Sequence, residues 1–263
     1  FYGGCGKMKS FIAFFKKEVL ESVRSGKLTI LGILFLLFGI MNPAIAKMIP
    51  WLLEIMSDYF AEAGMTVTEV TIDALTSWTQ FFKNIPMALI VFVLVYSGTF
   101  TREYESGTLI LILTKGLSRY KVVLAKFAVM LTTWTIGYWL CFVITYGYNA
   151  YFWDNSIAVW LMPASIHWWL FGVWVVCLIM LFSTLCSNYI GVLLGTGGSV
   201  LGIYLISLFP QIGKYTPTAL MNSASLLIGA ETADVYGLAL LITVLVSVSC
   251  LIISIAVMNK KRL

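Results

Sequence analysis

The chain has 263 residues, of which 60% are hydrophobic and only 11% are charged, and its mean hydropathy is +0.93. Soluble domains are less apolar than this, so the composition excludes a soluble enzyme and indicates an integral membrane protein. We attribute the formal net charge of +5 to membrane topology and not to affinity for nucleic acid.

Residues 1–27 are predicted to form an N-terminal tail and an amphipathic helix. Phe11, Phe15, Val19 and Val23 recur every four residues, which is typical of one face of a helix. Beside a membrane such a helix lies in the interface, with its apolar face toward the acyl chains. A helix packed on a soluble partner domain is the alternative, which the immediate start of the first span disfavours.

Six apolar stretches follow, and each approaches the roughly 20 residues that a helix needs to cross about 30 Å of hydrocarbon. They are 28–49, 85–101, 122–148, 166–187, 189–209 and 236–258. Helices are expected because backbone groups in lipid must be paired within their own segment, and the alternation of a barrel strand is missing. We therefore predict an all-α integral membrane protein in which residues 28–263 form one six-helix domain.

Lys and Arg are distributed unequally between the two sides of these spans. The N-terminus, the 102–126 loop and the C-terminus carry 14 of the 17 basic residues and 4 of the 12 acidic ones. The segments on the other side carry 3 basic and 8 acidic residues. Because basic loops stay in the cytoplasm, we expect a multi-pass protein of the inner or plasma membrane with both termini in the cytoplasm.

Two segments on the other side are expected to contain short helices. Residues 50–63 are amphipathic enough to lie on the outer surface. Pro210, Gly213 and Pro217 interrupt the chain before the last span, which favours short re-entrant helices packed against protein or water.

The 102–126 loop reads REYESGTLILILTKGLSRYKVVLAK. An acidic pair, a Gly-Thr-Leu sequence, an apolar run and a Ser-Arg pair follow one another in fixed order. This order, placed after the second span, resembles the first cytoplasmic loop of the ABC-2 family of ATP-binding-cassette transporter permeases. One departure is Lys115-Gly116-Leu117, where the family often has a proline. A charged loop that serves only as a topology signal is the alternative.

The resemblance implies that the loop forms a coupling helix between the second and third spans, seated in a cleft of a separate ATPase subunit. The residues that it assigns to this contact are Arg102, Glu103, Glu105, Gly107, Thr108, Leu109, Ser118 and Arg119. It also implies a dimer of permease chains, identical or related, with two ATPase subunits. The cargo of such proteins is an amphipathic or hydrophobic molecule, with peptides and toxins favoured and lipids or drugs as other choices.

The fifth span is rich in glycine. Gly191 with Gly195, and Gly198 with Gly202, are pairs of small residues four positions apart. Such pairs let two helices approach closely in lipid. Packing within one chain is one interpretation, and the family resemblance adds a second, in which this span lies near the subunit interface and the translocation path.

Several kinds of chemistry are missing from the sequence. No Gly-x-x-x-x-Gly-Lys-Ser/Thr pattern occurs, so ATP and Mg²⁺ are expected in a partner subunit, and we predict no enzyme activity, cofactor or metal site here. The central parts of the spans contain no charged residue or histidine, which disfavours an ion-coupled transporter. Lys126 is expected to snorkel toward the interface. A membrane immunity or sensor protein without transport and an ion-coupled secondary transporter stay open as alternatives.

Overall fold

The computed structural model describes residues 3–56, 72–114, 117–222 and 224–261. These residues form eleven α-helices and three short 3₁₀-helices, and the described part of the chain contains no strand. The α-helices are α1 Gly3–Arg24, α2 Lys27–Ile55, α3 Ala74–Tyr96, α4 Thr101–Glu105, α5 Thr108–Thr114, α6 Arg119–Phe152, α7 Leu161–Leu185, α8 Tyr189–Ser207, α9 Pro210–Gly213, α10 Ala224–Leu227 and α11 Gly237–Lys260. Six of them, α2, α3, α6, α7, α8 and α11, are long and apolar enough to cross a membrane. The predicted all-α membrane architecture with six spans is therefore confirmed.

Helix α7 is the most buried span and lies at the centre of the bundle. Helices α11, α6 and α8 pack on it, whereas α2 packs on α3 and α6. Aromatic rings fill the space between α2, α3 and α6, where the Trp134 ring meets Phe35 at 5.9 Å and Phe92 at 5.6 Å between centroids. Edge-on contacts of this kind add to the stability that burial of the rings provides.

The second span differs from its prediction, because α3 begins at Ala74 instead of residue 85 and ends at Tyr96 instead of 101. Asp73 caps the helix by accepting a hydrogen bond from the Thr76 amide at 3.0 Å. The first turns carry polar residues such as Asn84, which lower the local hydropathy. The sequence analysis therefore missed this part of the span. Asn84 is held inside the bundle, where its Nδ2 donates to Asn42 Oδ1 at 2.8 Å.

Helix α2 contains an internal proline, and a neighbouring helix replaces the hydrogen bond that this proline removes. Pro43 has no amide hydrogen, so the carbonyl of Gly39 loses its partner one turn earlier. The buried Thr145 hydroxyl on α6 donates to that carbonyl at 3.1 Å. An interhelical hydrogen bond thus replaces the missing bond within the helix.

Helix α1 packs on α6 and α2, and the left-handed Gly26, with φ 74°, turns the chain into α2. The predicted apolar row is only partly right. Phe11 and Phe15 pack against the core, but Val23 is 50% exposed. The buried row is Phe14, Glu18 and Ser22, so a carboxylate lies on the face that packs against the bundle.

The interrupted region before the last span contains the expected short helices, α9 and α10, with a 3₁₀-helix at Pro217–Met221 between them. Leu226 and Leu227 are buried, and Trp168 Nε1 on α7 donates to the carbonyl of Met221 at 3.2 Å. The predicted surface helix at 50–63 begins within α2, which continues through Pro50 to Ile55. Its remainder from residue 57 lies outside the described residues.

Candidate functional site

The segment between the second and third spans folds as two short helices, α4 and α5, around a turn. Gly107 in this turn has φ 66°, a left-handed conformation that favours glycine. No atom lies within 4 Å of a Cβ built there, so backbone conformation and not crowding within the chain explains the glycine. The hydroxyls of Ser106 and Thr108 lie 2.8 Å apart across the turn.

Three charged side chains meet in the interior beside this segment, and we call Glu18, Glu103 and Lys126 the buried triad. Lys126 Nζ lies 2.8 Å from Glu18 Oε2 and 3.0 Å from Glu103 Oε1. The Lys126 side chain is 1% exposed and the two carboxylates are 7% exposed. The triad therefore joins α1, α4 and α6 through one ammonium group.

The sequence predicted that Lys126 snorkels toward the interface. The structure contradicts this prediction, because the Lys126 side chain is buried. Its ammonium is retained inside by two carboxylates, by the carbonyl of Thr99 at 3.4 Å and by the Phe100 ring at 5.3 Å. A buried ammonium is tolerated when it is paired and hydrogen-bonded in this way. Glu103 Oε2 is buried and has no hydrogen-bond partner in the described part of the chain.

Lys17 and Glu21 on α1 extend the triad toward the surface. Lys17 Nζ lies 3.0 Å from Glu18, 3.3 Å from Glu103 and 2.6 Å from Glu21. The Lys17 ammonium contributes the second positive charge that balances Glu18 and Glu103. Partial burial lowers the pKa of Lys17, but the Glu21 hydrogen bond and the carboxylates of Glu18 and Glu103 outweigh it, so the pKa lies above 10.5.

The pKa of Glu21 moves in the opposite direction. Partial burial raises the pKa of this carboxyl, but the hydrogen bond from Lys17 and the attraction of its ammonium outweigh burial. The net result is a pKa below the ordinary value of 4.5.

The predicted contact residues of the segment divide between two faces. Glu103 and Leu109 point into the bundle and are 5% and 1% exposed. Arg102, Glu105 and Thr108 are exposed. Gly107, Ser118 and Arg119 are partly exposed. The exposed and partly exposed residues are accessible to a partner, whereas Glu103 and Leu109 pack inside the bundle.

The other end of the segment is joined to the last span. Ser118 precedes α6 without capping it through its side chain. Arg119 Nη1 donates to the carbonyls of Met258 at 3.1 Å and Asn259 at 3.3 Å, and also to that of Lys261. A guanidinium at the C-terminal end of a helix satisfies carbonyls that have no partner within the helix.

Lys261 completes this second junction, which we call the C-terminal clasp. Its Nζ donates to the carbonyl of Thr184 on α7 at 2.9 Å and lies 4.2 Å from the centroid of the Tyr104 ring. Burial lowers the pKa of the Lys261 ammonium below its ordinary value. Helix α1, the segment and the end of α11 thus share one end of the bundle, which we call the basic end.

The two glycine pairs of α8 have different surroundings. A Cβ at Gly195 would lie 2.3 Å from the Phe182 ring, and one at Gly191 would lie 2.4 Å from Asn188 Oδ1. This pair therefore packs within the chain. Gly198 and Gly202 have no atom within 4 Å of such a Cβ, so they face open space on the least buried span.

An open cavity of about 400 Å³ lies between α3, α7 and α8. Its walls are mostly apolar and include Leu89, Phe171 and Val200. Thr196 also lines the cavity, and its buried hydroxyl has no hydrogen-bond partner among the described residues. The cavity therefore offers a mostly apolar surface with a few polar side chains, among them Tyr204 and Thr218.

Sequence reasoning missed Glu18, Lys126 and Thr196 as members of these sites. A signal for Glu18 was present, since it lies four residues after Phe14 and four before Ser22 on one helical row. Pairing of Lys126 with residues 108 and 23 positions away could not be read from one sequence, because no local spacing links them.

Comparison with known proteins identifies the broad class of the chain. No family model matches the sequence. No solved structure matches it significantly. The chain is similar to the uncharacterized transmembrane protein YxlG of Bacillus subtilis (strain 168), with 24% identity over 254 residues that cover 90% of this chain and 93% of that protein. Together with the six apolar helices, this similarity identifies a multi-pass transmembrane protein.

Proposed function

We propose that this chain is the membrane subunit of an ATP-driven exporter of the ABC-2 type. In this proposal a separate ATPase subunit hydrolyses ATP, and its movement reaches the membrane helices through the 101–119 segment. The observation that carries the proposal is the division of that segment into two faces. Arg102, Glu105 and Thr108 are exposed for a partner, whereas Glu103 and Leu109 anchor the segment in the bundle.

The order of residues in the segment supports the same function. The acidic pair, the Gly-Thr-Leu sequence at 107–109 and the Ser-Arg pair at 118–119 resemble the coupling loop of ABC-2 permeases. In this arrangement the basic end faces the cytoplasm of the inner or plasma membrane, in agreement with its excess of Lys and Arg. Two ATPase subunits then bind a pair of permease chains.

The α8 helix is the proposed contact with the second permease chain. Gly198 and Gly202 leave a part of its surface without side chains, and α8 buries little against its own chain. Small residues on an open helix face permit close approach of a second helix in lipid. The Gly191 and Gly195 pair is excluded from this role because it already packs against residues of its own chain.

The apolar cavity is the proposed path for the cargo. A wall of mostly apolar side chains with a few polar ones, such as Tyr204 and Thr218, suits an amphipathic or hydrophobic molecule. Ions and sugars are disfavoured because they need several polar groups to replace their hydration. An amphipathic peptide or toxin fits this chemistry, as does a lipid or a hydrophobic drug.

One observation favours a second candidate, an ion-coupled secondary transporter. The buried triad supplies ionisable groups inside the helix bundle, of the kind that such transporters use. Its position at one end of the bundle, beside the 101–119 segment and not among the residues that line the cavity, favours the ATP-driven mechanism. Export driven by a pH gradient without ATP would support this candidate instead.

Affinity isolation from mild detergent tests the proposed function. We expect the chain to be recovered with an ATPase subunit, whereas the chain purified alone hydrolyses no ATP. Glu105→Ala removes an exposed carboxylate from the proposed contact, and each charge-assisted hydrogen bond lost there costs about 1.5 to 3 kcal/mol. Recovery of the ATPase should fall with this variant while the Tm of the isolated chain is unchanged. ATP hydrolysis by the isolated chain would overturn the proposal.

A further inference from the structure

The buried triad has a geometry that neither membrane insertion nor partner binding explains. Its three members come from α1, α4 and α6, and positions 18, 103 and 126 are far apart in the sequence. None of the three is exposed enough to contact a partner subunit. Retaining two carboxylates and one ammonium in the interior has a desolvation cost that apolar side chains of similar size would avoid.

The C-terminal clasp provides the contrast. It uses backbone carbonyls at a helix end, which need a donor in any case. The triad instead brings together side chains that pair with one another, with Lys17 and with the Thr99 carbonyl. Such a set of bonds is directional, and it links the position of α4 to the positions of α1 and α6.

We propose that Lys126 is a positioning residue that transmits displacement of α4 to the third span and to α1, through Glu103 and Glu18. The inference rests on the proposed function, since the displacement originates in the ATPase. Glu103 moves with α4, the Lys126 ammonium follows its carboxylate, and Glu18 carries the same movement into α1. The exposed residues of the segment bind the partner, and the triad passes the movement on.

The geometry of Glu103 supports a movable link. One of its oxygens bonds to Lys126 and Lys17, while its Oε2 is buried without a partner. A carboxylate with one unused oxygen can exchange which oxygen faces the ammonium without leaving the triad. A purely structural ion pair would be expected to use both oxygens, because an unsatisfied buried acceptor is destabilising.

A variant that replaces all three charges separates transmission of movement from folding. It combines Glu18→Met, Glu103→Met and Lys126→Met, and we call it the neutral triple variant. Apolar replacement of a complete buried ion cluster is often neutral or stabilising, so its Tm and its assembly with the ATPase should match the wild type. ATP-dependent export of a fluorescent amphipathic peptide, measured in vesicles that contain the complete transporter, should fall about tenfold or more.

Glu103→Gln is the single-site version of this test. It leaves the Lys126–Glu18 pair intact, and it should lower export while ATPase binding is retained. Glu21→Gln is the matched control, because Glu21 is half-exposed and pairs only with Lys17 among the triad's neighbours. Export by this control should equal that of the wild type.

Each outcome of these export measurements decides whether the triad transmits the movement of α4. Wild-type export by the neutral triple variant would overturn the inference and leave the proposed function standing. Failure of that variant to fold would also overturn it, because the charges would then serve folding. Absence of ATP-dependent export by the wild type would overturn the proposed function and the inference together, and the wild-type measurement therefore distinguishes the two failures.

Discussion

Arg119 at the start of α6 donates to the carbonyl of Met258 at the end of α11, with 3.1 Å between Nη1 and the oxygen. The two residues are 139 positions apart, so this bond joins the start of the third span to the end of the last span at the basic end. The buried triad forms a second connection between helices at this end. The 101–119 segment lies between the triad and the Arg119–Met258 bond.

Arg119→Gln tests the clasp. The substitution removes the guanidinium that serves three carbonyls, and we expect a loss of about 1 to 2 kcal/mol in the free energy of unfolding. Amide hydrogen exchange in the last turn of α11 should increase. Lys260→Gln is the matched control at the same helix end and should change stability by less than about 0.5 kcal/mol. Equal exchange rates in Arg119→Gln and the wild type would contradict the role of the clasp.

Thr145→Val tests the bond that replaces the one lost at Pro43. Valine keeps the shape of threonine but leaves the Gly39 carbonyl without its donor. We expect destabilisation of about 1 to 3 kcal/mol, since a buried acceptor is then unsatisfied. Thermal unfolding in detergent measures the change. The double variant Pro43→Ala, Thr145→Val should recover much of the loss, because alanine restores the amide donor, and no recovery would argue against this account.

The ion pair between Lys17 and Glu21 on α1 predicts that the stability of the folded chain depends on pH. The pKa of Glu21 is depressed in the folded chain, so its stabilising contribution is present above the unfolded value of 4.5 and is lost as the pH falls through the folded pKa. The difference in Tm between the wild type and Glu21→Gln should therefore be constant near neutral pH and shrink below 4.5. A difference that stays constant through this acid range would contradict the pairing.

The two glycine pairs of α8 predict opposite effects for the same substitution. Gly195→Leu should destabilise the isolated chain, because a Cβ there would lie 2.3 Å from the Phe182 ring. Gly198→Leu should leave the Tm of the chain unchanged, because no atom lies within 4 Å of its Cβ, and should weaken pairing of two chains. Thermal unfolding and size measurement by native mass spectrometry separate these effects. Wild-type association of Gly198→Leu would argue against α8 as the contact.

The six-helix architecture could be predicted from composition and apolar length alone, since both depend on local sequence. The start of α3 could not, because Asp73 to Asn84 mix polar residues with side chains that tertiary contacts bury. The same limit applies to Lys126, whose neighbours in sequence are compatible with snorkelling. Its burial depends on Glu18 and Glu103, which lie on other helices. Gly107 was singled out from the sequence as a contact residue, whereas its left-handed conformation could be seen only in the structure.

The most direct measurement is ATP-dependent transport by the chain reconstituted with its ATPase in inside-out vesicles. Uptake of a fluorescent amphipathic peptide is followed with ATP, with a non-hydrolysable analogue and with a pH gradient alone. The account predicts uptake with ATP only, and loss of that uptake in Glu105→Ala with the Tm of the chain unchanged. Uptake driven by the pH gradient without ATP, or wild-type uptake by Glu105→Ala, would contradict the proposed coupling through the 101–119 segment.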